Sequence, residues 1–150
     1  MICANYIEFR FENVYTVCIR KKERGKYTVY LKRKVDTFLR DWKADLARKP
    51  LIIKGSRQVG KTESIRKFAA EDYESVVEIN FVRDEKYKGI TADGYEAAAI
   101  IKNISMIDPS KKFIPHKTLL FFDEITEFPE IATSLKFFHN KHFNISLLSF

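Results

Sequence analysis

The most specific chemistry in the chain belongs to eight consecutive residues, Gly55, Ser56, Arg57, Gln58, Val59, Gly60, Lys61 and Thr62. They read as glycine, four free positions, a second glycine, lysine and a hydroxyl residue. Glycine at the two fixed positions lets the backbone curl so that successive amide N–H groups converge where a Cβ would otherwise block the approach. Such a loop cradles phosphates, with Lys61 reaching the β- and γ-phosphates of a nucleotide and the Thr62 hydroxyl placed to ligate Mg2+. The competing reading is a plain glycine-rich turn between a strand and a helix. The flanks argue against it. Pro50-Leu51-Ile52-Ile53-Lys54 is a short apolar run that predicts a buried strand, and a helix starting near Gly60 would aim the positive end of its dipole at an anion.

A second group lies about 60 residues downstream, where Thr118-Leu119-Leu120-Phe121-Phe122 runs into Asp123 and Glu124. Burying an unpaired carboxylate is costly, so acids at the tip of an apolar strand face solvent or a cation. With the phosphate loop present, Asp123 is expected to hold Mg2+ through its water shell and Glu124 to polarise an attacking water. Without that loop, the same residues would read as a strand turning into a polar connection.

Taken together, Gly55 to Thr62, the Asp123-Glu124-Ile125 tripeptide with Pro129 after it, and Leu135-Lys136-Phe137-Phe138 resemble the prokaryotic AAA-type ATPases, in which an N-terminal P-loop domain precedes a C-terminal domain of unknown function. The resemblance covers roughly residues 30–140 and includes the Asn80-Phe81 end of a second strand and the Ile114 to Thr118 lead-in to the acidic strand. Thr126 departs from it, since glutamine is expected there. The resemblance implies a three-layer α/β P-loop fold of the AAA type around a parallel sheet. It also implies ATP with Mg2+ as ligands, Gly55 to Thr62 as the nucleotide cradle, Thr62 and Asp123 at the metal, and Lys61 and Glu124 in catalysis.

The chain has 150 residues, enough for one domain with a core, and 45% of them are hydrophobic, which excludes a disordered polymer. No apolar run approaches the ~20 residues needed to cross a bilayer, and polar residues interrupt the N-terminus, so a cytoplasmic protein is expected. Cys3 and Cys18 have no ligand partners at metal-site spacing and read as free thiols, while His116, His139 and His142 read as surface or capping residues. The formal net charge is +7, distributed as +11 over residues 1–70 and −4 over residues 71–150. A basic N-terminal half suits a nucleic-acid backbone, but solvated turns and helix starts account for the same residues. Nucleic acid is therefore not the favoured partner; a homo-oligomer or a protein partner stays open.

Several elements must position these groups. Residues 1–30 alternate apolar and polar side chains and predict an extension with a small β meander, turning at Glu23 to Lys26. Leu31, Val35, Phe38, Leu39, Trp42 and Leu46 recur at helical spacing and open the ATPase domain, residues 31–150. Trp42 on that stripe reads as core rather than as a platform for adenine. Asp93 to Glu96 has the spacing of a capping box ahead of a helix over Ala97 to Ile107, and Pro129 suits an early position in a helix running to His139.

The family places a fourth strand between the P-loop strand and the acidic strand, and a fifth on the far side of the P-loop strand. Phe143 to Phe150 is apolar enough to supply the fourth, with Asn144 or Ser146 as a polar sensor. No stretch remains for the fifth or for an arginine finger. The expectation is thus a truncated domain whose sheet is incomplete at the C-terminus. Its function is then Mg2+-dependent ATP hydrolysis if the fold is completed, or nucleotide binding without turnover if it is not.

Overall fold

The structure is a computed structural model that describes residues 5–8, 17–23, 26–54, 59–138 and 147–149. Its centre is a five-stranded, all-parallel sheet. Across the sheet the order is β1 (Asn5–Glu8), β4 (Leu51–Lys54), β7 (Leu147–Ser149), β6 (Thr118–Asp123) and β5 (Ser75–Asn80). The two remaining strands, β2 (Val17–Glu23) and β3 (Lys26–Lys32), form a separate antiparallel hairpin.

This topology confirms one expectation and corrects another. Leu147–Ser149 occupies the fourth-strand place, in register with Leu51 to Ile53 on one side and with Phe121 and Phe122 on the other. The side of β4 expected to stay open is paired: Asn5 to Glu8 runs parallel to Leu51 to Lys54. A strand edge presents unpaired N–H and C=O groups and accepts any extended segment of suitable register. The N-terminal alternation therefore does not make one meander. Its first strand joins the main sheet, and the other two pair with each other.

Burial explains why β4 and β6 are continuous apolar runs. Leu51, Ile53, Leu119 and Phe121 face one core with Val35, Leu39 and Trp42 of α1 (Lys34–Ala44) and Ile65, Phe68 and Ala69 of α2 (Lys61–Asp72). Ile52, Leu120 and Phe122 point the other way, into a second core with Ile100 and Ile104 of α3 (Ala97–Ile107) and Ile131 of α4 (Ile131–Ser134). Successive strand side chains alternate in direction, so a parallel strand covered on both faces has no polar side to show. The result is an α/β architecture with helices on both faces of the sheet.

Element ends differ from the sequence expectation in three places. Helix α1 stops at Ala44, so Leu46 falls in the following turn and is 97% exposed instead of extending the apolar stripe. Helix α3 spans Ala97–Ile107 as expected, but Asp93 does not cap it; Glu96 holds the N-cap position without a side-chain bond, and Asp93 pairs loosely with Lys102 at 3.9 Å. Beyond Pro129 the helix is four residues long and tightens into a 3-10 turn over Leu135–Phe137, short of His139. Trp42 is a core residue, as expected, with its indole N–H donating to the Lys49 carbonyl at 2.8 Å. Among the described residues no helix is long and apolar enough to cross a membrane.

Candidate functional site

In an open parallel sheet, ligands bind beyond the carboxyl ends of the strands, because loops leave there and helix N-termini point back. Both chemistry-bearing segments emerge at that end. The loop following β4 leads into α2, and Asp123 closes β6, with β7 between the two strands.

Gly55, Ser56, Arg57 and Gln58 lie outside the described residues, while Val59, Gly60, Lys61 and Thr62 are in place. Gly60 is the N-cap of α2 and sits at φ 80°, ψ 26°, a left-handed conformation that glycine adopts without a Cβ penalty. Lys61, the first helical residue, is only 8% exposed. Burial lowers the pKa of its ammonium below the ordinary value of 10.5, while the charges of Glu124 and then Asp123 act to raise it. The lysine therefore sits in the field of both acids.

Thr62 and Asp123 meet directly. The Thr62 hydroxyl donates to Asp123 Oδ2 at 3.4 Å across a sequence separation of 61 residues. The same carboxylate oxygen accepts from Asn80 Nδ2 at 3.2 Å. Asn80 and Asp123 are register partners at the ends of adjacent strands, which is why the contact forms. Asn80 is itself fixed, since its Oδ1 accepts the backbone N–H groups of Val82 at 3.1 Å and Arg83 at 3.0 Å. Asp123 is buried, so these two donors offset part of the cost of holding its carboxylate away from water.

Glu124 follows in an unusual state. Its backbone is left-handed, at φ 54° and ψ 48°, where a residue with a Cβ is strained by about 1–2 kcal/mol. Strand β6 ends abruptly there, and a 3-10 turn over Ile125–Glu127 begins. Ile125 anchors that turn in the core, while Thr126, the departure from the family pattern, is exposed.

Oxygen donors at Thr62 and Asp123 are hard ligands of the kind Mg2+ takes, and that ion retains waters and accepts phosphate oxygens, so one or two protein ligands suffice. Among the described residues no three His, Cys, Asp or Glu side chains gather into a metal cage of their own. Asn144, Ser146, His139, His142 and Cys3 lie outside the described residues, and His116 is an exposed turn residue.

Two residues here have roles that local sequence patterns do not announce. Asn80 reads in sequence as a strand ending, and its one signal is a polar side chain closing an apolar strand. Arg33, which reaches the loop at Val59 and Gly60, lies 26 and 27 residues away in sequence and gives no local sign of doing so.

No curated protein and no solved structure matches the chain. A family model described as an AAA domain matches residues 47–149, which takes in the glycine loop, the acidic strand and the strand between them in space. The chain belongs to the AAA domain family.

Proposed function

We propose that this protein binds ATP with Mg2+ at the carboxyl end of its sheet and hydrolyses it. The observation that carries this reading is the contact of Thr62 with Asp123, two residues 61 apart whose types match a metal-binding hydroxyl and carboxylate, beside a buried Lys61. Membership of the AAA domain family supports nucleotide binding in general.

In this reading the loop from Gly55 to Thr62 wraps the phosphates with its amides, and Lys61 places its charge on the β- and γ-phosphates. Thr62 and Asp123 would hold Mg2+, which on binding neutralises charge on the phosphate oxygens. Asn80 keeps the Asp123 carboxylate turned toward Thr62. Glu124, projected by its left-handed backbone, orients the attacking water and takes its proton. Residues 31–150 form the nucleotide domain, and residues 1–30 are an extension that lends it an edge strand.

Steady-state phosphate release tests the catalytic part. Glu124→Gln is expected to abolish release while Mg-ATP still binds. Equal release by wild type and variant would refute the role of Glu124, and absence of release from both would leave a nucleotide-binding domain without turnover.

A further inference from the structure

We infer that Arg33 is a positioning residue that holds the helix-side end of the phosphate-binding loop, Val59 and Gly60, so that its amides face the nucleotide. The inference rests on the proposed nucleotide reading and adds a residue from outside the loop. Arg33 precedes α1 and is fixed at its own backbone, where its N–H donates to Asp36 Oδ2 at 2.8 Å. From there its guanidinium crosses to the start of α2. Nη1 donates to the Val59 carbonyl at 2.7 Å and to the Gly60 carbonyl at 3.0 Å, with the Ser64 hydroxyl at 3.4 Å.

The direction of these bonds matters. In a planar trans peptide the C=O and the following N–H point opposite ways, and among the described residues no peptide bond is cis. The Val59 carbonyl, drawn toward Arg33, therefore turns the Gly60 N–H to the opposite side. The Gly60 carbonyl is also held by α2, accepting the Ser64 N–H at 3.1 Å, so the helix and Arg33 together direct the Lys61 N–H. An anion-binding nest needs those amides presented together. Left to itself, a glycine at this point rotates easily between conformations, because both signs of φ are open to it. The first bond of α2 restrains it on one side and Arg33, through the Val59 carbonyl, on the other.

Packing agrees with this role. A Cβ built on Gly60 would stand 2.5 Å from Arg33 Nη1 and 2.7 Å from Nη2, so the guanidinium packs directly against the glycine and would have to move for a larger residue. Gly60 is favoured by its positive φ, and a Cβ there would also push the Arg33 guanidinium out of its place. The arrangement also ties the first helix of the domain to the phosphate loop.

Mg-ATP titration into wild type, Arg33→Met and Arg33→Lys tests the inference. Methionine keeps the aliphatic stem and removes every donor, whereas lysine restores a charged donor without the planar fork. Arg33→Met is expected to bind Mg-ATP at least tenfold more weakly, Arg33→Lys to fall between it and wild type, and a few millimolar guanidinium to recover part of the loss in Arg33→Met. In nucleotide-free protein the Gly60 and Lys61 amide resonances should shift or broaden in Arg33→Met, with those of α3 unmoved. Wild-type affinity in Arg33→Met would overturn the inference, as would weak binding that neither lysine nor guanidinium improves. If wild type itself takes no Mg-ATP, the nucleotide reading falls first and this inference with it. If wild type binds, Lys61→Ala does not, and Arg33→Met binds as wild type, only this inference falls.

Discussion

Two adjacent carboxylates at the end of β6 are handled differently by the fold. Asp123 is buried and receives hydrogen bonds from Thr62 and Asn80, while Glu124 is less buried and held at positive φ. In the proposed site these environments assign separate roles. Asp123→Ala is expected to weaken metal-dependent nucleotide binding, while Glu124→Gln leaves binding intact and removes turnover; calorimetry and phosphate release read the two apart. The strain at Glu124 gives a second expectation. Glu124→Gly should cost no stability and should gain up to about 1 kcal/mol in denaturant unfolding, because glycine adopts the left-handed region freely. A loss larger than that would mean the Glu124 side chain contributes contacts that outweigh its backbone strain. These residues were legible because loop and strand tip are compact local patterns. Arg33 was not, since its partners lie 26 and 27 residues away and nothing in its neighbours distinguishes it from other basic residues.

At the scale of elements, what could be read from the sequence depended on how local the deciding interactions are. Apolar runs at Leu51 to Ile53 and Leu119 to Phe122 announced strands because both of their faces are covered. The partners of a short strand are another matter. Asn5 to Glu8 joins β4 through backbone bonds that any extended segment could make, so the alternation of its side chains says nothing about which sheet it enters. At α3 the range is as the sequence predicts, but the N-cap is Glu96, three residues past Asp93, because a capping-box spacing does not decide which residue adjoins the first helical one. Two tests belong here. Phe122 is fully buried and stacks with Phe81 at 5.6 Å between ring centres, so Phe122→Ala should cost about 3–5 kcal/mol in unfolding experiments. Removing Leu147 to Phe150 withdraws the strand between β4 and β6 and leaves two facing edges unpaired. That deletion is expected to self-associate at micromolar concentration by light scattering; a stable monomer would show that β7 does not join the two halves.

Across the whole molecule, the sheet couples the two chemistry-bearing segments, and its stability sets the conditions under which the site exists. Alkaline pH probes this. Burial raises the pKa of both Tyr73 and Tyr87 to about 12, with neighbouring acids adding to the rise, Asp108 at Tyr87 and Asp72 at Tyr73; at Tyr73 the charge of Arg48 acts against it. Their protonated forms are favoured in the folded state, so the stability they contribute is complete below the ordinary tyrosine value near 10 and is lost as pH rises toward 12. Thermal melts should decline across that window, and Tyr87→Phe should flatten the decline. Nucleotide binding at this site is decided by titrating Mg-ATP into wild type and Lys61→Ala at equal folded stability. Wild type should bind saturably and in a metal-dependent way, and the variant should lose at least tenfold in affinity, about 1.4 kcal/mol. Equal affinity of the two proteins for Mg-ATP would contradict this placement.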